Sequence, residues 1–539
     1  MSDIIIVGSG ASATAAALAL ADLGVRPLVL DVGHTDPGAV PVVEGNLYDF
    51  RRRYDSFDLL VGSNFSGLAD VLTGEVGIAK LNAPNMRFVT AGAEQLSPVE
   101  ASDFDPIQSF AVGGLANAWG AGLYRFVEAD LDGFPIRQAD LDPYFDRLTD
   151  EIGISGEADD LAPQFGDARG LQPSLQLSHN AGLVLDRYLR RRQSLVDLGV
   201  SIGRPRLGVL SIAKDGRPPC DYSNLEFWQV SPHIYTPPMT LNKLSARGQV
   251  EYRPGILVTS WSEGWDGVVV EGVELETGEE VRFTTRRLIL AAGAINTSRI
   301  VLQSSNDCES ALPMLENPAV QIPFVLPESI GRRLDTHAFG LVQLNLIWNT
   351  PAWPGALQGS IMELTSPMRA EFFGRFPLSA RANLGLLRDL LPAMLLMQLF
   401  FPGRTIAPAR IGLNSNGSLR ITGSRERPDL TRIRPLLGLL RRLGLWTHPA
   451  LIVSAVTGHA IHYAATLPMR EQPGRYECDP AGRLAGTRNV FIADSSCFSD
   501  LPAKNMSFAM MANAMRVATL AAASLPAASP PPTAVVEER

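Results

Sequence analysis

The chain has 539 residues, 46% of them hydrophobic and 19% charged, and a net charge of −9. This balance is typical of a globular protein with more than one domain, and it excludes a disordered or fibrous chain. The negative charge and the lack of a basic run argue against a nucleic-acid partner, while four scattered cysteines suggest neither a metal site nor a disulfide framework.

The first predicted elements form a βαβ unit. Residues 4–7 predict a buried strand, residues 12–23 an alanine-rich helix, and residues 26–30 a second strand. Between the first strand and the helix lies the turn GSGASA, residues 8–13, which has the form G-x-G-x-x-A. The opening strand lacks the charged flank and the length of a signal peptide, so we expect a cytoplasmic protein.

The glycine turn has the properties of a dinucleotide-binding site. Gly8 allows the tight turn, and Gly10 lets the backbone approach a pyrophosphate. Ala11 precedes the helix and Ser12 begins it, and the helix N-terminus attracts phosphates with its partial positive charge. Asp31 closes the second strand and can accept a hydrogen bond from a ribose hydroxyl. Together these residues predict that a dinucleotide binds at this end of the sheet.

Two further strand-turn-helix units follow along the chain. Strands alternate with turns over residues 250–290, and the last strand leads through Gly293 into a helix at 297–303. Near the C-terminus a strand ends in Asp494 and precedes a small-residue helix over 506–525. Both units are expected where the dinucleotide fold returns to the same sheet.

Residues 390–401 form the longest apolar stretch of the chain. They contain a proline and are too few to span a bilayer. We predict a buried or lid helix here; a helix lying on a membrane surface and an oligomer contact are the alternatives. Residues 526–539 begin with a proline-rich run and predict a disordered tail.

Residues 458–469, GHAIHYAATLPM, contain two histidines three positions apart. The apolar, β-branched residues 450–457 before them predict a strand, and Gly458 would interrupt a helix at this place. On a strand, His459 and His462 point to opposite faces. The sequence therefore predicts that at most one of the two rings faces any one site.

Further motifs accompany the glycine turn. They are AVGGLANAWG at 111–120, GAINTSR at 293–299, GRRLDTH at 331–337, HYAATLPM at 462–469, and the ADSS and KNMS stretches after it. With the turn and Asp31, this set resembles the glucose-methanol-choline (GMC) oxidoreductase family of FAD enzymes over most of the chain. Two positions differ from the family pattern, since Ala465 and Met506 replace its usual glycine and proline.

The resemblance implies an α/β fold in two parts. A Rossmann-like, discontinuous FAD-binding domain would comprise residues 1–165, 246–337 and 458–525. An inserted α+β substrate-binding domain would comprise residues 166–245 and 338–457. The second of these inserted segments also carries no phosphate-binding motif, in keeping with a role on the substrate side.

The resemblance also implies which residues hold FAD. The glycine-rich loop would lie along the flavin, and Asp494 would hold the ribityl or pyrophosphate region. The residues implied are Gly8, Gly10, Ala11, Ser12, Asp31, Gly113, Gly114, Asn117, Val258, Gly293, Asp494 and Met506. Some relatives link FAD covalently through a histidine in the glycine-rich loop. Ala118 occupies the nearest position here, so we expect noncovalent FAD.

For catalysis the resemblance implies His462 as a base and Asn505 as its partner. The base would take the hydroxyl proton of an alcohol or sugar-like substrate while hydride leaves the carbon for flavin N5. Asn505 is also a good helix cap. His459 would lie behind the site or contact the substrate, and His337 would be structural.

Two other functions are compatible with the motifs. The family includes hydroxynitrile lyases, so a non-redox flavoprotein lyase is the main alternative to an oxidation. An NAD-dependent dehydrogenase could use the same glycine turn, but it leaves the C-terminal motif unexplained. The motifs specify neither the alcohol or carbohydrate nor the electron acceptor. No metal is expected, and a membrane contact is the less favoured reading.

Overall fold

The computed structural model describes residues 2–35, 81, 84–220, 232–333, 337–364 and 379–525. The predicted tail at 526–539 and part of the GRRLDTH motif, residues 334–336, lie outside the described residues. The α-helices are α1 (Ala11–Asp22), α2 (Ala93–Leu96), α3 (Gln138–Ile152), α4 (Ala162–Phe165), α5 (His179–Arg190), α6 (Arg192–Val196), α7 (Pro237–Ala246), α8 (Ala294–Ser304), α9 (Ala380–Leu390), α10 (Arg434–Arg442) and α11 (Ser507–Ala523).

A seven-stranded sheet carries the predicted dinucleotide fold. Its strands are β1 (Ser2–Val7), β2 (Leu28–Leu30), β5 (Glu251–Arg253), β6 (Ile256–Gly264), β7 (Gly267–Glu274), β8 (Glu280–Leu290) and β18 (Val490–Ile492). β1 pairs in parallel with β2 and β8, and β18 pairs in parallel with β8. β6, β7 and β8 form an antiparallel meander. The predicted βαβ unit is therefore confirmed by β1, α1 and β2.

Burial explains the composition of this layer. Ile4, Ile5 and Ile6 of β1 are completely buried, as expected for a central parallel strand with both faces covered. The alanine-rich α1 is buried along its length and packs against α11, which is also rich in small residues. Small side chains let two helix backbones approach closely, so this composition supports dense packing next to the sheet.

A six-stranded antiparallel sheet forms a second core. In spatial order its strands are β16 (Val453–Ser454), β10 (Ala319–Val325), β13 (Met394–Phe400), β12 (Leu357–Glu363), β11 (Val342–Trp348) and β4 (Val200–Gly203). β10 lies in the chain segment 246–337, predicted for the FAD-binding domain, yet it pairs with β13 and β16. Sheet membership thus changes earlier in the chain than the predicted domain boundary.

The helix predicted at 390–401 is wrong. Most of this stretch is β13, which pairs antiparallel with both β10 and β12. Leu395 and Met397 pack into one core cluster, whereas Met394 and Leu396 pack into another. Because both faces of the strand are buried, nearly every position is apolar, and the alternation that identifies a half-exposed strand is lost.

A five-stranded sheet lies beside these two layers. Its strands, in spatial order, are β17 (Tyr463–Ala464), β9 (Ala311–Glu316), β14 (Ala409–Leu413), β15 (Leu419–Thr422) and β3 (Val99–Ser102). β17 carries the start of the C-terminal motif and pairs antiparallel with β9. The residues after His462 are thereby fixed to a strand that is distant in sequence.

The long strand predicted at 450–457 is also wrong. This stretch contains a short 3-10 turn followed by the two-residue strand β16. His459 and His462 lie in and after the next turn, where Gly458 and Ile461 have φ values of 101° and 58°. Positive φ at these positions reverses the chain, so the two histidines do not occupy opposite faces of a strand.

In the described ranges, no helix is both long enough and apolar enough to cross a membrane. Among the same residues, His, Cys, Asp and Glu side chains form no group of three or more that could hold a metal ion. The four cysteines, all within the described residues, form no disulfide; Cys478 and Cys497 are buried, and Cys220 and Cys308 are half-buried.

Candidate active site

A cavity lies at the carboxyl ends of β1, β2, β8 and β18. In open α/β sheets this is the usual position of a bound ligand. The wall also contains the glycine-rich loop and the turn with His462. The predicted site residues in the wall are Gly8, Gly10, Ala11, Ser12, Asp31, Gly113, Gly114, Val258, Gly293, His462, Asp494, Asn505 and Met506. The carboxyl ends of these strands thus bring together residues from distant parts of the chain.

Two glycines shape the first turn in different ways. Gly8 has a φ of 102°, and a Cβ there would come within 2.7 Å of the carbonyl oxygen of Ala291. A side chain is therefore excluded both by conformation and by space. At Gly10, a Cβ would meet nothing nearer than the carbonyl oxygen of Gly113, 4.0 Å away. The space above Gly10 belongs to the cavity, and a ligand can approach the backbone there.

Three helices begin at the cavity. α1 begins after Gly10, α8 after Gly293 and α11 after Met506, and none of them has a side-chain cap or an acidic residue in its first turn. Backbone N–H groups at such ends give the wall a positive potential. The Ser12 hydroxyl, in the first turn of α1, is buried without a hydrogen-bond partner among the described residues. This wall is suited to an anionic ligand such as a pyrophosphate.

Asp31 connects the glycine turn to the glycine-rich loop. Its carboxylate accepts hydrogen bonds from the hydroxyls of Ser9 and Tyr252. The Ser9 hydroxyl also accepts a bond from the N–H of Gly113 at 3.0 Å. Burial raises the pKa of Asp31 to about 7. A ligand hydroxyl that donates to this carboxylate would favour its ionised form.

Asp494 fastens the end of β18 to the start of α8. Its carboxylate accepts from the N–H of Gly293 at 2.8 Å, the hydroxyl of Thr297 at 2.5 Å and the N–H of Ser496 at 2.9 Å. The side chain is almost completely buried, and this burial raises its pKa. Asp494 lines the cavity, and its predicted role in holding FAD stays a prediction, because protein donors already occupy both of its oxygens.

Asn117 supports the glycine-rich loop from behind. Its Nδ2 donates to the carbonyl oxygens of Val112 and Gly114, at 2.8 Å each. The side chain is buried and is not part of the cavity wall, in contrast to the predicted contact with FAD. The neighbouring Ala118 does line the cavity. In this loop Gly113, Gly114, Ala118 and Trp119 are therefore among the residues that face the cavity, and the Asn117 amide does not.

Arg299 is a wall residue that was not predicted from the sequence to be functional. It is 5% exposed, and its guanidinium donates to the carbonyl oxygens of Leu96 at 3.3 Å and Val258 at 3.4 Å. Burial lowers its pKa to about 10, and no carboxylate of the described residues offsets this effect. A buried cation without a counter-ion is costly, so an anion in the cavity would relieve it. Its only sequence signal is its place at the end of GAINTSR.

His462 is held on two sides at the cavity wall. Its ring stacks on that of Phe400, with centroids 5.1 Å apart, and its Nδ1 lies 3.0 Å from Oδ1 of Asn317. The next residue, Tyr463, pairs with Glu316 in the β17–β9 ladder. The half-buried imidazole is thus fixed in place while it remains at the cavity.

Asn505 reaches the same cavity from the segment before α11. Its backbone N–H donates to Gln358 at 3.3 Å, and its side-chain oxygen is buried without a partner among the described residues. A Cβ at Gly122 would lie 2.7 Å from Asn505 Nδ2, so the glycine makes room for the amide. The N-cap of α11 is Met506, so Asn505 does not cap this helix. Its free oxygen can accept a hydrogen bond from a ligand.

His459 is directed elsewhere. Its Nε2 contacts the carboxylate of Asp105, and the residue is not part of the cavity wall. Asp105 itself is exposed. Only His462 of the pair therefore faces the cavity, although a turn, and not the alternation of a strand, separates the two rings.

The residues present fit FAD. A pyrophosphate suits the uncapped start of α1 and the open space above Gly10. It would also supply an anion to the Arg299 guanidinium, which pairs with no carboxylate of the described residues. Asp31 suits a ribose hydroxyl. Much of the remaining wall is apolar, with Trp119 and Ile256 among its residues, and this suits planar ring systems.

Comparisons with known proteins extend these observations. Residues 448–514 match the family model described as GMC oxidoreductase. No curated protein sequence matches the chain. The fold is similar to that of pyridoxine 4-oxidase from Mesorbium loti, with a TM-score of 0.57 and 14% identity over 96% of this chain and 98% of that one. It is also similar to that of an Aspergillus oryzae formate oxidase carrying a mutation whose effect on FAD modification was studied. The TM-score is 0.60, with 12% identity over 97% of this chain and 98% of that one.

At these identities the solved structures establish the fold alone, and they do so over nearly the whole chain. The matched C-terminal segment adds the sequence evidence, since it contains His462, Asn505 and the first turn of α11. Residues 448–514 are therefore similar to the GMC oxidoreductase family of FAD enzymes, and over nearly its whole length the chain has the fold of two oxidases, with a cavity that fits FAD at the ends of the parallel strands.

Proposed function

We propose that this protein oxidises a CH–OH group of an alcohol or sugar-like substrate, with noncovalent FAD as the cofactor and His462 as the base. The observation that carries the proposal is that His462 and Asn505 meet at one cavity with the glycine turn. His462 offers an imidazole that can take a proton. Asn505 offers an amide oxygen without a partner among the described residues.

When bound, FAD accepts the hydride that leaves the substrate carbon. The protein has to remove the hydroxyl proton, which an alcohol does not lose readily at neutral pH. His462 takes that proton, and Asn505 orients the hydroxyl through a hydrogen bond. The start of α11, in the same wall, contributes a partial positive charge that favours negative charge developing nearby.

Three alanine variants test the proposal by anaerobic stopped-flow measurement of flavin reduction with a panel of alcohols and sugars. His462→Ala leaves the phosphate-binding groups untouched, so it should retain FAD and reduce it about 10²- to 10⁴-fold more slowly. Asn505→Ala should cause a smaller loss because the base remains. His459→Ala is the matched control, since its ring contacts Asp105 outside the cavity, and it should stay close to the native rate.

Three results would contradict the proposal. A native rate for His462→Ala, or a greater loss for His459→Ala than for His462→Ala, would show that the base is wrongly assigned. If the native protein converts an alcohol or its adduct under nitrogen while the yellow colour persists, the reaction is not an oxidation, and the flavoprotein lyase becomes the better description.

A further inference from the structure

Asn317 lies directly behind His462 and is completely buried. Its Nδ2 donates to the carbonyl oxygens of Phe401 at 2.9 Å and Pro502 at 3.0 Å. On its other side, Oδ1 lies 3.0 Å from Nδ1 of His462. A carbonyl group contributes only an acceptor, so the two backbone contacts both require the donor end of the amide.

These contacts leave the amide one favourable orientation. If it were rotated to exchange its nitrogen and oxygen, its oxygen would face the carbonyl oxygens of Phe401 and Pro502, and that of Leu501 as well, which lies 3.5 Å from the nitrogen. Buried acceptors would then oppose one another without a hydrogen between them. Oδ1 therefore faces His462, and since it can only accept, the hydrogen of this bond belongs to Nδ1 of the imidazole.

We propose that Asn317 is a positioning residue that keeps His462 in the tautomer with hydrogen on Nδ1 and the lone pair on Nε2. A neutral imidazole carries one ring hydrogen, so a hydrogen on Nδ1 leaves Nε2 as the basic nitrogen. When Nε2 takes the proton of a substrate hydroxyl, Nδ1 keeps its hydrogen and its bond to Oδ1. The catalytic consequence rests on the proposed function, whereas the tautomer itself does not.

The same amide also relates the base to the other side of the cavity. Phe401 follows Phe400, on which the His462 ring stacks. Pro502 belongs to the segment that leads to Asn505. Asn317 therefore joins three pieces of chain at one buried point, and its loss would disturb both the state of the ring and its placement.

The tautomer can be read by NMR in the holoenzyme. Histidine labelled with an NMR-active nitrogen isotope gives ring signals for the seven histidines, and His462→Ala identifies those of His462. At about pH 8, above the usual imidazole pKa, we expect a hydrogen on Nδ1 and none on Nε2. The opposite pattern in the native protein would overturn the proposal without any change at Asn317.

Asn317→Leu keeps the approximate size of the side chain and removes its oxygen. We expect the His462 signals to shift towards a mixture of tautomers, and flavin reduction to slow about 10- to 100-fold through loss of a hydrogen bond to the imidazolium. The rising limb of the pH–rate profile should move to lower pH, because an imidazolium without its acceptor has a lower pKa. The other titratable groups at this turn are Glu316, Tyr463, His459 and Asp105, and all of them are unchanged in the variant.

Asn180→Leu is the matched control, since Asn180 is another buried amide whose Nδ2 donates to a carbonyl, that of Pro392, at 2.8 Å. It should leave the His462 signals and the pH limb unchanged. Unchanged His462 signals in Asn317→Leu would overturn the proposal. So would slower flavin reduction without a shift in the rising limb of the pH–rate profile, because a general loss of packing would give that result. If Asn317→Leu alters the tautomer while His462→Ala reacts at the native rate, the tautomer assignment stands and the proposed function fails.

Discussion

Ala118 presents a methyl group to the cavity where some members of the family carry a linking histidine. Among the described residues of the wall, the histidine, cysteine and tyrosine side chains are His462 and Tyr463 alone. The Tyr463 hydroxyl is engaged in a 2.5 Å bond to the carbonyl oxygen of Gly458, and burial raises its pKa, which keeps it a poor nucleophile. Of these side chains in the described part of the wall, only His462, the proposed base, is left as a group that could attach the flavin.

We therefore expect acid precipitation of the purified protein to leave the yellow colour in the supernatant. The absorbance spectrum of supernatant and pellet is the measurement. Colour retained in the native pellet would contradict noncovalent binding. Colour that leaves the pellet in His462→Ala but not in the native protein would identify His462 as the point of attachment.

At the level of single residues, the sequence predicted those whose type and motif carry the signal. His462, Asn505 and Asp31 were predicted in this way, and all three lie in the cavity wall. Arg299 and Asn317 were not predicted as functional. The proposed role of Arg299 depends on the lack of a carboxylate partner among the described residues, and that of Asn317 on the carbonyl groups around its amide. These neighbours are distant in sequence, so they leave no local pattern.

At the level of elements, the two errors have separate physical causes. β13 is buried on both faces, so its composition does not distinguish a strand from a buried helix. In the turn before β17, Ile461 adopts a positive φ, which a β-branched residue rarely does. Ala465 likewise has a φ of 62°, which gives a physical reason for the usual glycine of the family at this position.

Glu316, at the end of β9, holds the turn that carries the two histidines. Its carboxylate accepts from the N–H of Gly458 at 2.6 Å, and the Tyr463 hydroxyl binds the carbonyl oxygen of the same glycine. The side chain is 6% exposed. Burial raises its pKa from 4.5 to about 7, which means that the folded protein holds this proton over a range in which the unfolded chain releases it.

Glu316→Gln should therefore change the pH dependence of stability. As pH rises from 4.5 to about 7, the unfolded chain gains the ionised carboxylate before the folded protein does, so folding becomes less favourable. Glutamine cannot ionise, so the variant avoids this pH-dependent loss in the free energy of unfolding, which is on the order of 3 kcal/mol. In calorimetry of the holoprotein, the melting temperature of the variant relative to the native protein should be higher at about pH 8 than at about pH 5.

Glu276→Gln, at an exposed position between β7 and β8, is the control and should show no such trend. A constant difference between Glu316→Gln and the native protein over this pH range would mean that Glu316 titrates alike in the folded and unfolded states.

At the level of the whole molecule, the dinucleotide layer was predictable because each of its pieces carries its own local signal. β1 with β2, β8 and β18 come from three distant parts of the chain, yet each ends in a turn of small residues or in an acid. The other two sheets lack such motifs. Pairings such as β15 with β3 or β10 with β16 join strands that no local pattern relates, so their order follows from tertiary packing.

The cavity is formed by the folded seven-stranded sheet, so FAD that binds there should stabilise the folded protein against unfolding. A ligand that binds only the folded state at about 100 times its Kd adds about 2.7 kcal/mol to the free energy of unfolding. Gly10→Val should fold, because a Cβ there meets no atom closer than 4.0 Å and Gly10 has a φ of −65°, which valine also adopts. Its branched side chain would fill the space above the turn and exclude the pyrophosphate.

We expect Gly10→Val to purify colourless, with native far-ultraviolet circular dichroism and a melting temperature that added FAD does not raise. Gly182→Val is the matched control: this glycine lies within α5, and a Cβ there would meet no atom within 4 Å. That variant should remain yellow and keep the native response to FAD. Flavin bound by Gly10→Val would place the pyrophosphate away from the turn, whereas an unfolded Gly10→Val would show that the space above Gly10 is needed for folding itself.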